Sequence, residues 1–209
     1  MILTNMIAVT AFTEFGTIKG NSSLEALSGA NLSNEFSKHI LSVDLKDSRK
    51  ELDEIISQNP KCIIMFGQYG GTNEIRVEER AKNILDFRIP DNGGNFPHNI
   101  PIIDGGSEYL ESPFDTHKIT EYLINKGFNT RNSDDAGTFI CNFSYYYVLS
   151  KGIKAVFVHL PLYLEQSSNL MPNWTKEELS KVVEEICNFI KEDQEWLLKT
   201  QNILKPHSN

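Results

Sequence analysis

Three side-chain types in this chain could together cleave an amide: a thiol, an imidazole and a carboxylate. The stretch Ser133-Asp134-Asp135-Ala136-Gly137-Thr138-Phe139-Ile140-Cys141-Asn142 passes from polar turn formers into a helical pattern, which places Cys141 within the first turn or so of a helix. Unpaired N–H groups and the positive end of the helix macrodipole favour a thiolate there, and the same amides could hold a developing oxyanion. An inert core thiol is the competing reading for any single cysteine. It is the better one for Cys62, inside an apolar run, and for Cys187, beside core positions of the last helix. His159 follows the apolar run 153–158 and precedes Leu160-Pro161. That is the carboxyl end of a strand, where ligands gather in open α/β sheets. A neutral imidazole there can take the proton of Cys141, as in cysteine hydrolases; a packed, hydrogen-bonded histidine would give the same pattern. Glu78, Glu79, Asp91, Asp134 and Asp135 are all available to orient the ring, and spacing does not choose among them. The other histidines (His39, His98, His117, His207) lie in polar or terminal contexts.

Composition limits what such a site could serve. The chain has 209 residues, 40% hydrophobic and 23% charged, which suits one folded domain spanning 1–209 and excludes wholesale disorder. Lys and Arg total 20 against 28 Asp and Glu, a net charge of -8. Nucleic acid or an anionic membrane surface would require a basic footprint, so peptides or small molecules are the expected partners. Apolar runs such as Cys62-Ile63-Ile64-Met65-Phe66 fall far short of the ~20 residues of a membrane helix. Residues 1–10 lack the basic region and cleavage site of a signal peptide. Three scattered cysteines make neither a disulfide framework nor a zinc site. Reduced thiols and a cytoplasmic location follow as expectations.

The elements that must position these residues read as one α/β unit with a largely parallel sheet. Strands are expected at 6–10, at 40–45 (weakly), at 61–66 and at 153–158. A loop is expected over 11–23. A helix capped by Asp47-Ser48 should run to about residue 58, stopped by Pro60. Residues 75–85 are ambiguous: Ile75, Val77, Ala81 and Leu85 partly alternate, while Glu78-Glu79-Arg80-Ala81-Lys82 would suit a helix. Residues 88–94 must be irregular. Helices are expected over 114–126, with Asp115 as cap and Gly127 as stop, and over 138–151, ended by Gly152. Thr175-Lys176-Glu177-Glu178 is a capping box opening a long amphipathic helix.

Beyond this point the sequence resembles the pyroglutamyl peptidases (pyrrolidone-carboxylate peptidases), a family of cysteine peptidases. Six ordered blocks carry the resemblance. Ala11-Phe12-Thr13-Glu14-Phe15-Gly16 with Asn21-Ser22-Ser23 is similar to the family's Gly-Phe-x-Pro-Phe-Gly…Asn-Pro-Ser. Phe66-Gly67-Gln68-Tyr69-Gly70-Gly71 is similar to its Gly-Gln-x-Gly-Gly turn. Residues 75–83 resemble its Ile-x-x-Glu-Arg-x-Ala-x-Asn strand, and Arg88-Ile89-Pro90-Asp91-Asn92 is its loop unaltered. Residues 133–142 resemble its Ser-x-Asp-Ala-Gly-x-x-x-Cys-Asn nucleophile block. Val158-His159-Leu160-Pro161 with Glu165-Gln166 resembles its His-x-Pro…Glu-Gln block. The chain departs from the pattern at Ala11, Ser22, Thr72, Glu79, Arg80 and Lys82.

The resemblance implies a single three-layer α/β/α sandwich of the phosphorylase/hydrolase-like type, with a mixed, mostly parallel twisted sheet, and makes residues 75–85 a strand. It implies catalytic Cys141, His159 and Glu78, with Arg88 and the Cys141 amide at the oxyanion. It places Phe12, Phe15, Gln68 (through its carbonyl) and Asn21 at the substrate, a peptide with N-terminal pyroglutamate, and calls for no cofactor or metal. A divergent amidase for another small acyl or lactam group, or a non-catalytic binding relative, are the alternatives. A homo-oligomer is compatible with the final helix, where Trp196, Leu197 and Leu198 could meet a partner.

Overall fold

The computed structural model describes residues 6–16, 19–166 and 174–203, with side chains as far as residue 193. Trp196, Leu197 and Leu198 therefore lie outside the described side chains. Six strands form one sheet: β1 (Ile7–Phe12), β2 (Phe36–Leu41), β3 (Ile63–Gln68), β4 (Ile75–Glu78), β7 (Thr130–Ser133) and β8 (Ala155–Leu160), in the order β2-β1-β3-β8-β4-β7. The pairs are parallel except β4 with β8, which is antiparallel. A small antiparallel ribbon joins β5 (Arg80–Lys82) to β6 (Tyr109–Glu111).

Alternation along β8 explains the layers. Val156, Val158 and Leu160 pack on one face with residues of α1 (Ser22–Gly29), α3 (Thr116–Asn125) and α5 (Lys176–Ile203). Ala155 and Phe157 pack on the other with α2 (Leu45–Ser57) and α4 (Ile140–Ser150). Strands apolar on both sides are what a sheet covered by two helical layers requires. This is the expected α/β architecture. No helix among the described residues is long and apolar enough to cross a membrane.

Several boundaries differ from the sequence reading. β1 runs on to Phe12, and the expected loop ends in α1, capped by Asn21, whose side chain accepts from the Ser23 amide. β2 begins four residues before the expected position and ends at Leu41, because the cap of α2 is Asp44, accepting from Lys46 and Asp47. The ambiguous 75–85 segment divides into β4 and β5, which belong to different sheets. At the joint the Glu79 amide donates to Ser133 O (2.7 Å) and its carbonyl accepts from Ser112 N (2.7 Å). The helix-like charges of β4 are in fact buried. The capping box forms as expected, with Glu178 N donating to Thr175 Oγ1 and Thr175 N to Glu178 Oε2.

Candidate active site

Cys141 is the second residue of α4. Gly137 (φ 82) turns the chain toward the helix, and Gly137 N donates to Asp135 Oδ1 (2.9 Å). The cap residue, Phe139, offers no side-chain acceptor to the first-turn amides, leaving these donors directed at whatever sits beyond the helix start. Asn142 fixes the position of this turn. Its Nδ2 donates to Lys82 O (2.9 Å) and Ile84 O (3.1 Å), and its Oδ1 accepts from Lys82 N (2.8 Å). Thr138 Oγ1 adds a bond to Asp86 O at 2.7 Å.

His159 is the penultimate residue of β8, at its carboxyl end as expected, though the strand itself runs two residues further than the apolar run. Its partner in β3 is Gly67, where a Cβ would stand 2.9 Å from Cys141 Sγ and 2.7 Å from Phe157 Cζ. Absence of a side chain at Gly67 thus makes room for the sulfur over the sheet. His159 Nδ1 lies 2.7 Å from Glu78 Oε1, so Nδ1–H donates to the carboxylate and Nε2 is left to take a proton. Glu78 is fully buried at the end of β4. The antiparallel register sets it opposite Phe157, one same-face step from His159. Burial would by itself lower the imidazole pKa, but the bonds and charges of Cys141 and Glu78 raise it to about 9.

The other candidate carboxylates go elsewhere. Glu79 meets His117 (3.5 Å), Asp134 pairs with Arg80 (3.1 Å) and Asp135 with Lys82 (2.9 Å). Asp91 accepts from the amides of Leu45, Gly93 and Asn95. Of the five, Glu78 alone bonds the His159 ring. Cys62 and Cys187 are buried, and burial pushes the Cys62 thiol up to about 12 and that of Cys187 upward as well.

The residues assigned to oxyanion and substrate fall around this centre in different ways. Arg88 is exposed and follows Phe87, which is buried against Phe139 (4.4 Å between ring centroids); neither Asp86 nor Asp91 pairs with it among the described residues. Phe15, partly buried, packs on Phe139 at 4.9 Å, so Phe15, Phe139 and Phe87 make one aromatic wall at the start of α4. Phe12 is 2% exposed and lies in the core, 6.3 Å from the Phe157 ring. Gln68 ends β3, and its Oε1 accepts from Ser22 N (2.7 Å) and Gln166 Nε2 (2.6 Å), tying three segments together. The Asn21 amide is committed to the protein itself, donating to Thr13 O and accepting from Ser23.

Sequence reasoning missed Phe139, Gly67 as the gap for the sulfur, Asn142 as the clamp, and Arg76 with Tyr69 beside the imidazole. The guanidinium carbon of Arg76 sits 4.4 Å from the Tyr69 ring centroid, and that ring is 5.7 Å from His159. Phe139 and Asn142 carry a signal in hindsight, since both flank the candidate thiol. Arg76, just ahead of the helix-like run 78–82, carries none.

Comparison with known proteins matches residues 5–186 to the model of the pyroglutamyl peptidase family. A pyrrolidone-carboxylate peptidase of Vibrio parahaemolyticus is 35% identical over 172 residues, 78% of this chain and 81% of that protein. One from Streptococcus pneumoniae is 35% identical over 188 residues, covering 85% and 87%. The crystal structure of pyrrolidone carboxyl peptidase from Thermus thermophilus superposes with a TM-score of 0.83 at 26% identity, covering 87% of this chain and 98% of that one. The Fervidobacterium islandicum enzyme superposes at 0.82 with 32% identity over 90% and 98%. With its whole sheet and its thiol, imidazole and carboxylate inside the matched span, the chain belongs to the pyroglutamyl peptidase family of cysteine peptidases.

Proposed function

We propose that the protein removes an N-terminal pyroglutamyl residue from peptides through a thioester on Cys141. The Cys141 sulfur over Gly67, the β3 partner of His159, together with the 2.7 Å bond from His159 to Glu78, is the observation that carries this reading. Proton transfer from Cys141 to His159 gives a thiolate and an imidazolium held by Glu78. The thiolate attacks the exocyclic carbonyl carbon of the pyroglutamyl residue. The carbonyl oxygen becomes an oxyanion, received by the first-turn amides of α4 with Arg88. As the C–N bond breaks, His159 passes its proton to the departing amine. Water then attacks the thioester and gives a proton to the same ring; the C–S bond breaks and releases pyroglutamate with the thiolate restored.

A pyroglutamyl group is a flat, neutral lactam, which suits the aromatic wall around Phe15, with Phe12 beneath the site. The Gln68 carbonyl, at the end of β3, accepts the lactam N–H in this scheme. Proline lacks the ring carbonyl and would leave polar groups unmatched. Cys141→Ala is expected to abolish hydrolysis of a pyroglutamyl-linked chromogenic amide with the fold retained by circular dichroism, and the wild type is expected to prefer that amide to its prolyl analogue. Full turnover by the folded alanine variant would overturn the mechanism, and equal rates on both amides would overturn the specificity.

A further inference from the structure

Beside the thiol, imidazole and carboxylate lies a fourth charge. Arg76 precedes Glu78 by two residues on β4, so both side chains leave the strand on one face. Arg76 is 8% exposed and its Nε stands 3.7 Å from Glu78 Oε1. Nη2 donates to Ser133 Oγ (2.5 Å) and Asp135 O (3.2 Å) on the far side, while the Tyr69 ring covers the guanidinium. The cation is thus held between β4, β7 and the turn after β3, next to the carboxylate that holds the imidazole.

The charge balance gives this placement its meaning. A working cysteine peptidase needs thiolate, imidazolium and carboxylate at once, which together carry one net negative charge. His159 and Glu78 are 4% and 0% exposed, and an uncompensated charge in such surroundings is strongly disfavoured. Glu78 Oε2 also has no hydrogen-bond partner within the described protein. Other ionisable groups facing the cluster do not supply the missing positive charge. Tyr145, from α4, donates its hydroxyl to the main-chain oxygen of Glu78 and is kept neutral by burial. Glu111, on β6, acts on Tyr145 as a further negative charge. The Asp135 carboxylate, before α4, is already neutralised by Lys82 of β5. Among the described residues, Arg76 and His159 are the cations paired with Glu78.

We propose that Arg76 is a positioning residue that balances the buried charge of Cys141, His159 and Glu78, and so keeps the thiol in its ionised, nucleophilic form; this rests on the peptidase reading above. Guanidinium suits the position because it stays charged when buried, stacks on Tyr69, and donates through Nη2 to Ser133 while its Nε stays within ion-pair distance of Glu78.

The test is the pH dependence of Cys141 alkylation by iodoacetamide, located by peptide mass mapping, in the wild type and in Arg76→Gln, Arg76→Leu and Arg76→Lys. The acid limb is expected to move upward by about one pH unit in the neutral variants, roughly a tenfold loss of rate on that limb, and to stay close to wild type in Arg76→Lys. A purely structural role would change the rate without moving the limb. An unmoved limb in a folded neutral variant overturns the proposal, as does a lysine variant that titrates like the glutamine one. If both neutral variants fail to fold while Arg76→Lys folds, the cation is a requirement of the fold and the claim that it sets the thiol's ionisation is overturned; failure of all three to fold overturns the claim that charge is what matters. Alkylation needs no substrate. A wild type that ignores pyroglutamyl amides would therefore defeat the peptidase reading while leaving the test of Arg76 intact.

Discussion

At His159 two effects oppose each other. Burial disfavours the charged ring, while Cys141 and the bonded Glu78 beside it favour it, and the second effect wins, with a pKa of about 9 against an ordinary 6.5. In the proposed mechanism this imidazolium protonates the departing amine. Its loss should set the alkaline limb of kcat/KM near pH 9, with a fall of about tenfold per unit above it. Stability should follow the same group. A histidine whose folded pKa lies above its unfolded one stabilises fully below the unfolded value and loses that contribution as pH rises through the folded one. The Tm should thus decline between pH 6.5 and about 9, and less steeply in His159→Phe. A flat Tm and a limb near 6.5 would show that the ring is not held as a cation.

Between elements, the decisive joint is that of α4 with β5. Asn142 is fully buried and spends its amide on three main-chain groups of 82–84. Asn142→Ala leaves those groups unpaired and should cost about 2–4 kcal/mol, read as a Tm lower by several degrees. It should also lower kcat, because the start of α4 carries Cys141. Unchanged Tm and kcat would remove Asn142 from the account. Elements with a strong apolar signal were legible from sequence: β3, β8 and α5 emerged close to their observed places. β7 was not, since Thr130-Arg131-Asn132-Ser133 is a polar edge strand with no alternating pattern. β4 was misleading for a physical reason. Its Arg76 and Glu78 look like surface charges, yet both are buried and paired with each other. His159 and Cys141 could be read from strand-end and helix-start logic; the choice of Glu78 among five carboxylates could not, and came from the family blocks. Asn21, grouped with substrate residues by those blocks, is engaged in capping α1.

Across the molecule, residues 78, 141 and 159 converge because β4 enters the sheet antiparallel beside β8, while α4 packs on the face that Ala155, Phe157 and His159 share. Glycine at position 67, the β3 partner of His159, leaves the gap that the Cys141 sulfur occupies. In the proposed reaction this convergence makes Cys141 the acyl carrier. Acid quenching during turnover of a pyroglutamyl ester, followed by peptide mass mapping, tests it directly. A pyroglutamyl thioester on the Cys141 peptide, absent from Cys62 and Cys187, is the predicted result; product accumulating in single-turnover time courses with no acylated cysteine at any point, or with the label on another residue, would contradict it.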